Sequence, residues 1–129
     1  MASGAPFRVL VVEDDPALRQ FTVEWLTEAG YEARVAENGA EALGALGWGP
    51  DLILLDLTMP VMDGLQFLDR LTAAGGAAAD RMIPPVIVLS GTFRRTSEMP
   101  KGAAAMLEKP FDFDLLGRSI ATYAAAASG

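Results

Sequence analysis

Five residues that could do chemistry follow four separate apolar stretches of this sequence. They are the acids Glu13, Asp14 and Asp56, the hydroxyl residue Ser90 and the amine Lys109. Three carboxylates brought together repel one another, so at neutral pH they need a cation or a shared proton. Hard oxygen ligands that leave room for water and phosphate oxygens suit Mg²⁺. With a lysine and a serine to contact phosphate oxygens, such a set could hold a planar phosphoryl group between a donor and a carboxylate.

The elements that must position these side chains are predicted by short apolar runs that alternate with longer periodic segments. The apolar runs predict strands at residues 7–12, 52–55, 85–89 and 103–107, and a weak alternation of apolar and polar residues predicts a strand at 31–36. Strands and helices that alternate in this way form about five βα units, and hence an open, doubly wound α/β sheet. The functional crevice of such a sheet lies at the carboxyl ends of its strands, where the five candidate residues occur.

Helix signals occur between these predicted strands. In the first helix Asp15 fits the N-cap and Pro16 the first helical position, and Gly30 ends the segment. Apolar residues recur at helical spacing there: Leu18, Phe21, Trp25 and Ala29. Further helices are predicted at 38–46, from 65 onward, and after Asp112. Four aromatic side chains are expected in the core: Phe7, Trp25, Phe67 and Phe111.

Length and composition narrow the classes of function. The 129 residues fit one domain, and a net charge of -7 argues against binding to a nucleic-acid backbone. The sequence has no Cys and no His, which excludes a thiolate nucleophile, a disulfide and a phosphohistidine on this chain. The first residues do not read as a signal peptide, and no run approaches the roughly 18 apolar residues of a membrane span. We therefore expect a cytoplasmic protein.

Four motifs carry a resemblance to a known family. They are VLVVEDDP at 9–16, LILLDLTMPVMDG at 52–64, VIVLSG at 86–91 and EKPF at 108–111. Together, and in this order, they resemble the receiver domain of bacterial response regulators. The resemblance runs from Phe7 to Tyr123, almost the whole chain. Each motif alone is weak, but the four jointly are highly specific.

The resemblance implies a fold and a set of site residues. The fold is a flavodoxin-like sheet of five parallel strands in the order 2-1-3-4-5 with about five helices, in a single receiver domain over 1–129 whose core is about 7–123. Asp56 matches the phosphoacceptor, and Glu13 and Asp14 match the acidic pair of metal residues, of which Asp14 is favoured over Glu13 as a direct Mg²⁺ ligand. The main-chain carbonyl of Thr58 is expected to complete the protein's share of the metal shell.

The resemblance also assigns the remaining chemistry and the partners. Ser90 matches the hydroxyl residue that moves onto the phosphoryl group, and Lys109, before a cis peptide to Pro110, matches the lysine of the family motif. Members take the phosphoryl group from a histidine kinase or a histidine phosphotransfer protein, catalyse only their own phosphorylation and dephosphorylation, and signal by binding a downstream protein. A stand-alone, cytoplasmic monomer or weak dimer is expected, with no nucleic acid or membrane partner.

Two positions depart from the family pattern. Three residues before the lysine the family usually has Tyr or Phe, whereas this chain has Met106. A thioether can fill the vacated space but cannot present a large rigid ring to a partner. Residues 92–102 are also too short and too polar for a normal fourth helix, and Pro100 would break one. We therefore expect a short or irregular fourth helix that phosphorylation orders.

Other interpretations stay open. Asp56 could be a helix cap or a solvated strand end, and Asp14 could merely complement a helix dipole. Ser90 could cap a loop, and Lys109 could be a surface lysine. Within the family, the chain could be a receiver from a hybrid kinase or a longer regulator, or a pseudo-receiver that is never phosphorylated. A phosphatase that forms an aspartyl-phosphate would usually place a second acid at the position of Thr58.

Overall fold

Five parallel strands form a single sheet in this chain. The computed structural model describes residues 6–56, 84–90, 103–108 and 112–128. The strands are β1 (Arg8–Val12), β2 (Glu32–Ala36), β3 (Leu52–Asp56), β4 (Val86–Ser90) and β5 (Ala105–Glu108). Their order is β2-β1-β3-β4-β5 and every neighbouring pair is parallel, which confirms the predicted 2-1-3-4-5 sheet.

The described residues contain three α-helices and one 3₁₀ turn. The helices are α1 (Pro16–Glu28), α2 (Gly39–Gly44) and α3 (Phe113–Ser128), and the 3₁₀ turn is Ala45–Trp48. The predicted helix at 38–46 is therefore split into an α-helical half and a 3₁₀ half. The last helix runs past Tyr123 to Ser128. The helix predicted from residue 65 and the segment 92–102 lie outside the described residues.

The core lies on both faces of the sheet because successive strand residues point to opposite sides. Every residue of β3 is buried, as predicted for a central parallel strand. One face packs against α2 and the 3₁₀ turn through Leu10, Val12, Ile53, Leu55, Val86 and Val88. The other face packs against α1 and α3 through Val9, Val11, Leu52, Leu54, Ile87 and Leu89. Both faces are thus covered, as a doubly wound sheet requires.

Helix α1 begins and ends where the sequence predicts. The Asp15 side chain accepts a hydrogen bond from the Ala17 amide at 3.1 Å, Pro16 follows the cap, and Gly30 has a φ of 99°. Only a residue that tolerates positive φ ends a helix in this way without strain, which favours glycine. Helix α1 therefore starts directly after the loop that follows β1 and ends just before Gly30.

The face that α1 turns toward the sheet differs from its most apolar stripe. Its buried residues are Thr22 and Leu26, while Phe21 is 52% exposed. The rings of Phe21 and Trp25 each lie 5.1 Å from the ring of Phe113 in α3. The aromatic side chains of Phe21 and Trp25 thus contribute to the contact between α1 and α3. Trp25 and Phe7 pack against the core as predicted, and Phe67 and Phe111 lie outside the described residues.

Candidate functional site

The strand register brings the acids of two different motifs to one edge of the sheet. Val12 of β1 is paired with Leu55 of β3, so the residues that follow them, Glu13 and Asp56, lie side by side. The Glu13 amide donates to the carbonyl of Ala36 at 3.0 Å, which extends the pairing of β1 with β2 by one residue. Glu13 and Asp56 therefore sit on strand backbone rather than on a free loop.

Three carboxylates converge at this edge. One oxygen from each of Glu13, Asp14 and Asp56 lies within 4.8 Å of the other two. Glu13 and Asp56 are each 3% exposed, while Asp14 is partly exposed and open to an entering ligand. Oxygens on opposite sides of one Mg²⁺ are about 4 Å apart, and Mg²⁺ prefers carboxylate oxygens together with water and phosphate. The chemistry of the three donors and their spacing therefore fit a Mg²⁺ ion.

The chain immediately after the acidic pair orients the Glu13 carboxylate. The Asp15 amide donates to Oε2 of Glu13 at 3.3 Å, and the Asp15 side chain caps α1 at the same time. This division confirms the prediction that Asp15 is a helix cap. The turn that starts α1 is therefore also the turn that orients Glu13.

Arg19 is a residue at this edge that the sequence interpretation missed. Its Nη1 lies 3.1 Å from the carbonyl oxygen of Glu13 and 3.5 Å from that of Asp14. Its Nη2 lies 3.8 Å from the Glu37 carboxylate, and its side chain is only 18% exposed. Its position in the helix could have identified it, because a long side chain one turn into a helix can reach back to the residues before the N-cap.

The structure describes only some of the other predicted site residues. Ser90 is the last residue of β4, one position past the pairing of Leu89 with Asp56, so its backbone lies at the same edge. Ser90 is paired with Glu108 of β5, the residue that precedes Lys109. Lys109 and Thr58 lie outside the described residues. The strand order thus places β1, β3, β4 and β5 with their carboxyl ends along one edge.

Met106 lies in the middle of β5, opposite Val88 of β4. It is partly buried and packs on the same face of the sheet as Val86 and Val88. A flexible thioether therefore occupies the position where the family usually has an aromatic ring.

Among the described residues, no helix has the length and apolar character that a membrane span requires.

The sequence matches the response regulator receiver domain over residues 9–121. The transcriptional regulatory protein TrcR of Mycobacterium tuberculosis is 32% identical over 89% of this chain and 44% of its own length. Protein Rrf1 of Nitratidesulfovibrio vulgaris is 32% identical over 92% of this chain and 86% of its length. The sensor histidine kinase RcsC of Salmonella typhimurium is 30% identical over 95% of this chain but 13% of its length. The chain thus spans less than half of TrcR and most of Rrf1.

Solved structures show the same fold. The response regulator TrrA of Thermotoga maritima, in complex with Mg²⁺ and BeF, is 32% identical over 90% of this chain and 97% of its own, with a TM-score of 0.76. TrrA in complex with the histidine kinase ThkA is 35% identical over the same shares, with a TM-score of 0.71. The match covers most of the chain in sequence and in structure, so this chain belongs to the response regulator receiver domain family of two-component signalling.

Proposed function

We propose that this chain accepts a phosphoryl group on the carboxylate of Asp56. The observation that carries the proposal is the convergence of the Glu13, Asp14 and Asp56 carboxylates at the carboxyl edge of the sheet. Asp56 is buried at the end of a strand that is itself buried, so its carboxylate is held in one place. A buried acceptor beside two further acids suits a reaction in which a cation neutralises phosphate oxygens.

The site residues divide into metal ligands and phosphate contacts. Mg²⁺ would be held by carboxylates of the acidic pair and Asp56 and by the main-chain carbonyl of Thr58, and it would neutralise charge on the phosphoryl oxygens. The bond from phosphorus to the donor nitrogen breaks as a bond forms to an Asp56 oxygen, and the donor histidine keeps its electron pair. Ser90 donates a hydrogen bond to the bound group, and Lys109 supplies a positive charge to one oxygen.

The proposed donor is a phosphohistidine on a histidine kinase or a phosphotransfer protein. TrrA, which shares the fold, is seen in complex with the histidine kinase ThkA, and this chain has no histidine of its own. The net charge of -7 favours a protein as the downstream partner over a nucleic acid. The proposal includes a single receiver domain over 1–129, a cytoplasmic location where kinase and receiver meet, and a monomer or weak dimer.

A second candidate is a receiver domain that belongs to a longer protein. TrcR is more than twice as long as the region matched, and RcsC, a sensor kinase, contains a region that resembles almost the whole chain. The phosphoacceptor chemistry would be the same in both cases. Genomic sequence on both sides of the coding region would separate a complete protein from a domain of a hybrid kinase or a longer regulator.

The test of the function is labelling with acetyl phosphate in the presence of Mg²⁺, followed by intact mass spectrometry. We expect wild type to gain one phosphoryl group and Asp56→Asn to gain none. Asp114→Asn is the matched control, because Asp114 is an exposed acid on α3 and should leave labelling unchanged. A wild-type chain that takes no label would identify a pseudo-receiver. Rapid, repeated turnover of small phosphate esters would instead identify a phosphatase.

A further inference from the structure

The Arg19 side chain reaches from the first turns of α1 back to the loop that carries the acidic pair. Its guanidinium donates to the carbonyl oxygen of Glu13 at 3.1 Å and approaches that of Asp14 at 3.5 Å. The side chain is 18% exposed, so these hydrogen bonds form largely out of water. Hydrogen bonds from a charged donor are stronger than neutral ones, and shelter from solvent strengthens them further.

The two carbonyls belong to consecutive residues, and this matters for the site. The direction of a carbonyl fixes the plane of its peptide, and successive peptide planes set where the side chains between them point. Both contacts are made by Nη1, whose N–H groups point in fixed directions within the guanidinium plane, so one arginine can hold two adjacent carbonyls. The peptide planes that Arg19 holds are those that follow Glu13 and Asp14.

The third contact of Arg19, with Glu37, contributes less to stability than the two contacts with carbonyls. Its Nη2 lies 3.8 Å from the carboxylate of Glu37, which is 60% exposed. Exposed pairs at this distance contribute little to stability. Since Glu37 follows β2, this contact at most connects the loop after β2 to the loop after β1. The role of Arg19 therefore rests on the two carbonyls.

We propose that Arg19 is a positioning residue for the acidic pair: it holds the Glu13–Asp14 main chain in the shape that lets both carboxylates share one Mg²⁺ with Asp56. This inference rests on the function proposed above. A role through charge alone would act in the opposite direction, because a guanidinium near the site repels a divalent cation. The sign of the change in Mg²⁺ affinity when the charge is removed therefore separates positioning from electrostatics.

The test is calorimetric titration of the unphosphorylated chain with MgCl₂. Arg19→Gln removes the charge and shortens the side chain, and Arg19→Lys keeps the charge but replaces the planar guanidinium with an ammonium whose donors are not held in a fixed plane. We expect Arg19→Gln to weaken Mg²⁺ binding on the order of 10-fold, as for residues that orient metal ligands, and Arg19→Lys to lie between it and wild type. Arg118→Gln removes a charge from an exposed position of α3 and should titrate like wild type.

A second measurement separates positioning from general loss of structure. The rate of labelling by acetyl phosphate is followed as Mg²⁺ is raised. We expect the half-saturating Mg²⁺ concentration to rise in both Arg19 variants, while the rate at saturating Mg²⁺ returns to that of wild type. If Arg19→Gln does not fold, Arg19→Lys carries the test.

Two outcomes would overturn the inference, and they are distinguishable. Unchanged or tighter Mg²⁺ binding by Arg19→Gln, in a background where wild type binds Mg²⁺ and is labelled, would overturn the role of Arg19 alone. A wild-type chain that neither binds Mg²⁺ nor takes label would overturn the proposed function and this inference with it.

Discussion

The two edges of the sheet use their charged residues in opposite ways. At the amino edge Arg8 contacts Glu32 at 3.2 Å through Nε and the carbonyl of Trp48 at 2.6 Å through Nη1, and its backbone amide donates to Asp51 at 2.9 Å. The guanidinium also lies 5.5 Å from the Trp48 ring centroid. At the carboxyl edge three carboxylates gather, and the nearest contacts of Arg19 are two main-chain carbonyls.

The difference indicates which charged residues stabilise the fold and which are placed to bind a ligand. At the amino edge opposite charges meet, and one arginine ties β1 to β2 and to the 3₁₀ turn. At the carboxyl edge like charges meet, which costs free energy that a cation or a shared proton can recover. The amino edge should therefore govern stability without metal, and the carboxyl edge should govern stability with metal.

The largest expected effect is stabilisation by Mg²⁺ itself. A ligand that binds only the folded state at 100 times its dissociation constant raises the free energy of unfolding by about 2.7 kcal/mol. We expect such a rise for wild type in urea unfolding, and much of it should be absent in Asp14→Asn because that variant lacks one of the three carboxylates. An equal Mg²⁺ effect in both proteins would remove Asp14 from the site.

The next effect concerns the amino edge. Arg8→Met keeps much of the aliphatic stem but loses the ion pair, the hydrogen bond to the Trp48 carbonyl and the cation–π contact. We expect the free energy of unfolding, measured in urea, to fall by about 2 kcal/mol. The ion pair contributes little to this figure because the Arg8 and Glu32 side chains are about 40% exposed. Mg²⁺ affinity should not change. A change in Mg²⁺ affinity would show that the two edges are coupled.

A smaller effect of opposite sign is expected at the carboxyl edge. Asp56→Asn removes one of three like charges that lie within 4.8 Å of one another. Without metal we expect this variant to unfold with a free energy about 1 kcal/mol higher than wild type, the lower end of the Coulomb range for such pairs. Thermal and urea unfolding in EDTA would measure it. Destabilisation would mean that other contacts of Asp56 outweigh the repulsion.

The smallest effect should come from Glu37. Glu37→Gln removes the carboxylate that lies 3.8 Å from Arg19 and is 60% exposed. We expect a change of less than about 0.5 kcal/mol in the free energy of unfolding, and no change in Mg²⁺ affinity. The same assays apply. A Mg²⁺ defect as large as that of Arg19→Gln would show that the link to β2, and not the carbonyl contacts, positions the acidic pair.

Much of the fold follows from local sequence signals. Apolar runs located four strands, and a weak alternation located β2, each to within about two residues; the cap at Asp15 and the glycine at position 30 located the ends of α1. The strand order, in contrast, came from the family resemblance, because no local pattern tells which strands are neighbours. The convergence of Glu13, Asp14 and Asp56 depends on that order.

Contacts between helices could not be predicted in the same way. The spacing of Phe21 and Trp25 indicates a helix, but it does not tell whether they face the sheet or another helix. The structure places Phe113 against both rings, and Gly117 lies so close to Trp25 that a Cβ there would be 3.2 Å from Cζ2. Arg19 was missed for a related reason, since its partners are main-chain carbonyls, which no side-chain motif reveals.

The position of β3 has a consequence for how any signal can leave this domain. Asp56 ends a strand that is hydrogen-bonded on both sides, to β1 and to β4, and whose five residues are all buried. The amides of such a strand should exchange with solvent only on global unfolding. The proposed acceptor is thus anchored in a central strand whose residues are all buried, so we expect a change at Asp56 to be transmitted by the residues around it and not by movement of the strand itself.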